Sequence, residues 1–234
     1  MFLRDNPFHL LGAGPFDDRE RLAELVDGLP ISQEGGEAAW ALLTHPRRRL
    51  AAELAWLPGL APDKYQGLFK ALEGAEPLRP ALLRSLPPLA GCNLAAEFIW
   101  QKPDMPDGKL FRWALEELPA AFESVCPDDL LESLNTARKE SGFLEVNRDF
   151  LVEELQKRRE AYLELVGRAL SQRSTAALIR LMLRLAKKCK GLPPLLAFEF
   201  LEIYAAETWF FSKRRGRPLI LSARLWPLWP RFSI

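Results

Sequence analysis

The sequence predicts an all-α protein, an N-terminal helical hairpin followed by a multi-helix bundle. Three observations predict it. Apolar residues recur at spacings of three and four along most of the chain. Prolines and glycines cut the chain into pieces of helical length. Strand patterning is weak, and only residues 218–222 resemble a strand, too few to found a sheet. The 234 residues are 48% hydrophobic and 27% charged, a composition that suits a globular chain with a sizeable core.

Asn6-Pro7 reads as a turn in an opening loop, and Gly12, Gly14 and Pro15 punctuate the next stretch. Asp17 and Asp18 then cap a helix with Leu22, Leu25 and Val26 on one face, ended by Gly28 and Pro30. Glu37 opens a second helix bearing Ala38, Ala39, Leu42 and Leu43. Pro46 stops it, because it lacks an amide proton and disfavours a helical His45. Pro46 also suits the first position of the next helix, residues 47–57, whose stripe is Leu50, Leu54 and Leu57. The middle of the chain reads as shorter helical phrases over 62–73, 78–86, 93–100, 109–122 and 127–140. After Gly142 a longer helix opens at Asn147 or Asp149 and runs to about 171. Its apolar stripe includes Phe150, Leu151, Leu155, Tyr162 and Val166, with Glu153, Glu154, Lys157, Arg158, Arg159 and Glu160 expected in solvent. Two more helices are expected over 174–190 and 195–211.

Thirty-two Lys and Arg against 31 Asp and Glu give a net charge of +1, which argues against a whole-surface nucleic-acid binder. The balance conceals an asymmetry. From Thr208 onward there is no acid and there are six bases: Lys213, Arg214, Arg215, Arg217, Arg224 and Arg231. The remainder carries 26 bases and 31 acids, a net of −5. Trp226 and Trp229 lie in the same basic tail. Basic residues interleaved with tryptophan suit phosphate contacts with base stacking, an anionic membrane surface, a protein partner, or packing back on the acidic body.

Cys92, Cys126 and Cys189 lie far apart without C-x-x-C spacing, so neither a disulfide framework nor structural zinc is expected. Burial as small apolar residues is the expectation for all three. His9 and His45 are read as scaffold residues, His45 at a helix end. Adjacent acids such as Glu116-Glu117 and Glu153-Glu154 point in different directions on a helix and read as solvated. No P-loop, dinucleotide-binding, zincin or nucleophile-elbow motif occurs. A non-enzymatic protein without cofactor or metal is therefore expected. No apolar leader and no membrane-length apolar run are visible, so a cytoplasmic protein is expected.

Two phrases are distinctive: Asn6-Pro7-Phe8-His9-Leu10-Leu11-Gly12, and Ala41-Leu42-Leu43-Thr44-His45-Pro46-Arg47-Arg48-Arg49-Leu50. In order and residue type they resemble the two ends of a J-domain, the helical module of the DnaJ family of Hsp70 co-chaperones. The resemblance covers about residues 1–57. The chain departs from the family in the loop between the hairpin helices, residues 29–36, which lacks the His-Pro-Asp triplet of active co-chaperones. The resemblance therefore implies a degenerate J-like module. The expected domains are that module over 1–60, a helical bundle over 61–212, and a basic tail over 213–234.

The function expected is a chaperone-associated adaptor that docks a protein partner, an Hsp70-like chaperone in the first instance. The docking surface expected is Arg19 and Arg21 with Arg47, Arg48 and Arg49, while Phe8, Leu10, Leu11, Leu50 and Leu54 form core. The alternative is a nucleic-acid binder that uses Lys213, Arg214, Arg215, Arg217, Trp226 and Trp229. Salt separates the two, since affinity for phosphates falls steeply as salt rises.

Overall fold

Proline starts four of the helices seen in the structure, a computed structural model that describes residues 2–30, 35–61, 64–65, 67–68, 83, 85–101, 118 and 121–171. The first helical position makes no use of an amide proton, and the fixed φ of proline suits it. The helices are α1 (Pro7–Leu11), α2 (Arg19–Asp27), α3 (Gly36–Thr44), α4 (Pro46–Leu54), α5 (Pro88–Gln101), α6 (Pro127–Glu140) and α7 (Arg148–Ser171). The fold is all-α, and no strand occurs among the described residues. None of these helices is long and apolar enough to cross a membrane. The expected helices over 78–86 and 109–122 lie almost wholly outside the described residues. So do those over 174–190 and 195–211, the strand-like 218–222 and the basic tail.

Two helix starts differ from the sequence reading. The opening segment is a helix rather than a loop. Asn6 caps it: its Oδ1 accepts from the Phe8 amide at 3.0 Å while its Nδ2 donates to the Ala52 carbonyl at 2.8 Å. One side chain thus caps α1 and pins it to α4. Gly12 ends the helix at φ +64°, a conformation that glycine adopts without strain. The second difference is α5, which begins at Pro88 and not at Asn93. Pro88 supplies a first-turn proline, and the Gly91 amide donates to the Pro87 carbonyl.

The remaining starts agree closely with expectation. Asp18 accepts from the Arg21 amide at 2.8 Å to open α2. His45 ends α3 and caps α4, its Nδ1 accepting from the Arg48 amide at 3.4 Å. Asn147 accepts from the Phe150 amide at 2.9 Å to open α7.

Helix α2 packs on α3, α3 on α1 and α4, and α7 on α4, α5 and α6. Every residue of α5 from Leu89 to Ile99 is buried. A helix buried all round belongs in the centre of a fold, and α5 is such a helix. One core joins Leu3, Phe8, Leu22, Leu43 and Trp56 to Cys92, Ile99, Tyr162 and Val166. A second joins Leu50 and Leu54 of α4 to Leu89, Leu134, Leu151 and Leu155. Residues on both sides of position 60 therefore share their apolar contacts. Phe8, Leu11, Leu50 and Leu54 are core as expected, and Leu10 is partly buried against it.

Candidate functional site

Of the five arginines expected to form a docking surface, Arg19, Arg21, Arg47 and Arg48 are exposed. Arg19 opens α2 and lies over the Phe143 ring at 5.4 Å. Arg47 opens α4 and lies over the Phe150 ring at 4.2 Å. The first turn of α2 thus meets the α6–α7 connection, and the first turn of α4 meets the first turn of α7. Arg21 pairs with Glu24 of its own helix at 2.9 Å.

Arg49 departs from expectation. It is fully buried, so it offers nothing to a partner. Its Nε donates to Oε1 of buried Glu53 at 2.8 Å, and Nη2 donates to the Pro15 carbonyl at 2.7 Å. Its guanidinium stacks 3.7 Å from the Phe143 ring centre. The other oxygen of Glu53 accepts from Arg138 Nε of α6 at 2.9 Å. Arg138, also buried, donates in addition to the Leu144 and Pro46 carbonyls. Burial pushes the Arg49 guanidinium below its ordinary value, and the Glu53 carboxylate pulls it back. Both oxygens of Glu53 are engaged, so this cluster ties α4 to α6 rather than moving protons.

Arg158 is the second departure. Expected in solvent, it is buried, and it donates through Nε and Nη2 to Oδ1 of Asn93 at 2.9 and 2.6 Å. Tyr162 donates to the same oxygen at 2.5 Å. Asn93 in turn donates to the Leu54 and Trp56 carbonyls at 2.8 and 2.6 Å. These two clusters are the features that sequence reasoning missed. One signal pointed to the first, the Arg49/Glu53 pair at i,i+4. A single asparagine inside an apolar run was the signal for the second.

The two cysteines among the described residues have opposite surroundings. Cys126 is exposed, against expectation, because it precedes α6 at the surface. Cys92 is buried, and burial pushes its thiol up to about 12. A thiol held protonated is inert at neutral pH. His9 is partly buried beside Trp56, with ring centres 6.4 Å apart, and His45 serves as a cap. Lys157 ties Glu153 and Glu154 together at 2.8 and 2.7 Å on the solvated face. Among the described residues no cluster of His, Cys, Asp or Glu could hold a metal ion. Cys189, Glu116, Glu117, Lys213, Arg214, Arg215, Arg217, Trp226 and Trp229 lie outside the described residues.

Buried weak acids give the protein an alkaline limit. Burial raises Tyr65 to about 12 and raises Tyr162 as well, alongside Cys92. The unfolded chain releases these protons near 9.0 for cysteine and 10.0 for tyrosine. Above those values the unfolded state binds fewer protons than the folded one, so stability falls as pH rises. The contribution is complete below about pH 9. Each group then loses about 1.4 kcal/mol per pH unit until its own folded value is reached. Urea unfolding midpoints at about pH 8, 9.5 and 10.5 should fall in that order, and Cys92→Ala should flatten the first interval. Equal midpoints at all three would contradict it.

A depression open to solvent lies between the α1–α2 loop and α6. It measures about 410 Å³ and is lined by Phe16, Asp129, Glu132, Ser133, Thr136 and Glu140. Phe16 is 44% exposed there. Comparison of the chain with family models, with curated proteins and with solved structures finds no match.

Proposed function

We propose that the protein is a non-enzymatic adaptor that docks a protein partner, an Hsp70-like chaperone in the first instance. Its docking edge is formed by the first turns of α2 and α4. The observation that supports this reading is the sorting of the arginines. Arg19, Arg47 and Arg48 remain exposed on the first turns of α2 and α4, while Arg49 is buried against Glu53. Arginine is a frequent anchor at protein interfaces, and its fork matches carboxylates in two-point contacts. The phrases that resemble a J-domain lie on the same part of the chain. The loop between α2 and α3 lacks His-Pro-Asp, so binding without ATPase stimulation is the expected behaviour.

The test uses the full chain, because Leu50 and Leu54 pack on α6 and α7 and a fragment ending at residue 60 would expose them. Immobilised protein should capture an Hsp70-like chaperone without raising its ATPase rate. The triple variant R19E/R47E/R48E should lose at least about tenfold in affinity while its unfolding midpoint falls by only a few degrees, the loss expected of two exposed contacts to the Phe143 and Phe150 rings. Absence of capture, or equal capture by the triple variant, would overturn the reading.

A further inference from the structure

Leu144 is the most exposed large apolar side chain among the described residues, at 71%. It stands in the α6–α7 connection, residues 141–147, whose other large apolar members, Phe143 and Val146, are buried. Bonds on both sides of it fix the connection. The Phe143 amide donates to the Arg138 carbonyl at 2.7 Å. Asn135 holds Val146 twice, accepting from its amide at 2.7 Å and donating to its carbonyl at 3.0 Å. Buried Arg138 joins the connection to α4, donating through Nη1 to the Leu144 carbonyl at 3.0 Å and through Nη2 to the Pro46 carbonyl at 3.2 Å. A guanidinium is rigid, so the two oxygens it serves lie within about 8 Å of each other. Leu144 is thus held outward beside the start of α4.

A single exposed leucine is ordinary. Its neighbours set this one apart. Arg19 lies over the ring of Phe143, the residue before Leu144, and Arg47 follows Pro46 and lies over Phe150. Both arginines are exposed. A guanidinium stacked on a ring keeps in-plane N–H groups for an acid. Neither forms an ion pair among the described residues, although Glu145 follows Leu144 directly. Other exposed bases are matched: Arg21 with Glu24, Arg148 with Asp128, Lys157 with Glu153 and Glu154, and Arg168 with Glu164. The nearest acids in sequence are engaged as well, since Asp18 caps α2 and Glu153 is held by Lys157.

We propose that Leu144, Arg19 and Arg47 form one seat for an acidic peptide segment of the partner. An apolar side chain of that segment rests on Leu144, and its carboxylates meet Arg19 and Arg47. The proposal rests on the docking edge put forward above and names what that edge takes. Charge sets the sign of the occupant, because a basic segment would face two guanidiniums that have no anion of their own. The leucine sets its kind. A chain of phosphates would satisfy the arginines and leave Leu144 in water.

Fluorescence anisotropy of labelled peptides with the full chain tests it. The probe is a nine-residue peptide with glutamates on both sides of a central phenylalanine. One control replaces the phenylalanine by serine, and another replaces the glutamates by lysines. The phenylalanine peptide should bind at least about fivefold tighter than the serine peptide, and the lysine peptide should not bind. Leu144→Ser should erase that preference with little change in the unfolding midpoint, because the side chain is mostly exposed. R19E/R47E should lose both acidic peptides and gain the lysine peptide, and the gain shows that the variant folds. Absence of binding at about 1 mM peptide overturns the proposal. So does a preference that survives Leu144→Ser, or a single-stranded oligonucleotide that binds as tightly as the phenylalanine peptide. Chaperone capture is read separately on the same variants. Capture that fails while the peptide preference holds strikes the chaperone and keeps the seat, and the converse strikes the seat alone.

Discussion

Glu53→Gln is expected to destabilise the protein by about 3–5 kcal/mol, because it leaves two buried guanidinium groups without their shared anion. Glu53, Arg49 and Arg138 are each at most 1% exposed. The amide keeps the shape and one acceptor oxygen, so lost packing cannot explain the effect. It also turns an N–H toward one arginine. In a chain of this size the loss corresponds to a drop of roughly 10 °C in Tm. The triple variant R49M/E53L/R138M separates charge from shape. Removing all three charges together removes their desolvation cost, and comparable buried triads have been neutral or stabilising on such replacement. The triple variant should therefore be markedly more stable than Glu53→Gln alone. Part of the gain is offset, since the Pro15, Pro46 and Leu144 carbonyls lose their guanidinium donors. Thermal unfolding of both variants checks this. A single variant as stable as the unaltered protein, or a triple variant less stable than the single, would contradict it.

The helices were legible because their signals are local. Asp18, Pro46, Pro127 and Asn147 act on the residues beside them, and each lies at or beside an observed start. The misreadings have physical causes too. Pro88 can end one helix or begin another, and only packing decides between the two. Asn6-Pro7 reads as a turn unless the Ala52 carbonyl, 46 residues away, is there to hold the asparagine. The core positions Leu50 and Leu54 follow from apolar spacing, and Phe8 and Leu11 from the phrase that resembles a J-domain's entry. Arg49 and Arg158 do not, because solvation is the default for arginine and its reversal needs partners remote in sequence. Arg138 lies 85 residues from Glu53, and Asn93 lies 65 from Arg158. The exposure of Arg19, Arg47 and Arg48 was legible for the same reason in reverse, since that default holds for them.

Asn93→Ala is expected to cost about as much as Glu53→Gln, about 3–5 kcal/mol, although no formal charge is removed. Its amide satisfies both signs of demand at the centre of the fold. Nδ2 faces the Leu54 and Trp56 carbonyls, where α4 ends, and Oδ1 faces Arg158 and Tyr162 of α7. Two acceptors on one side and three donated bonds on the other fix the orientation of the amide. Alanine would leave the buried Arg158 cation with the Tyr162 hydroxyl at 3.2 Å and without Asn93. It would also leave two buried carbonyls without that donor. Asn93→Asp distinguishes the two halves. It strengthens the contact to Arg158 but turns an oxygen toward carbonyls 2.6 and 2.8 Å away. If the donor half matters, aspartate should destabilise the protein despite its new ion pair with Arg158. The variant should also lose stability further as pH rises through the aspartate range, because the ionised form is the one the carbonyls repel. Urea unfolding at about pH 4 and 7 reads this directly. An aspartate variant as stable as the unaltered protein at pH 7 would show that Asn93 serves Arg158 alone, and that α4 needs no tether to α5 there.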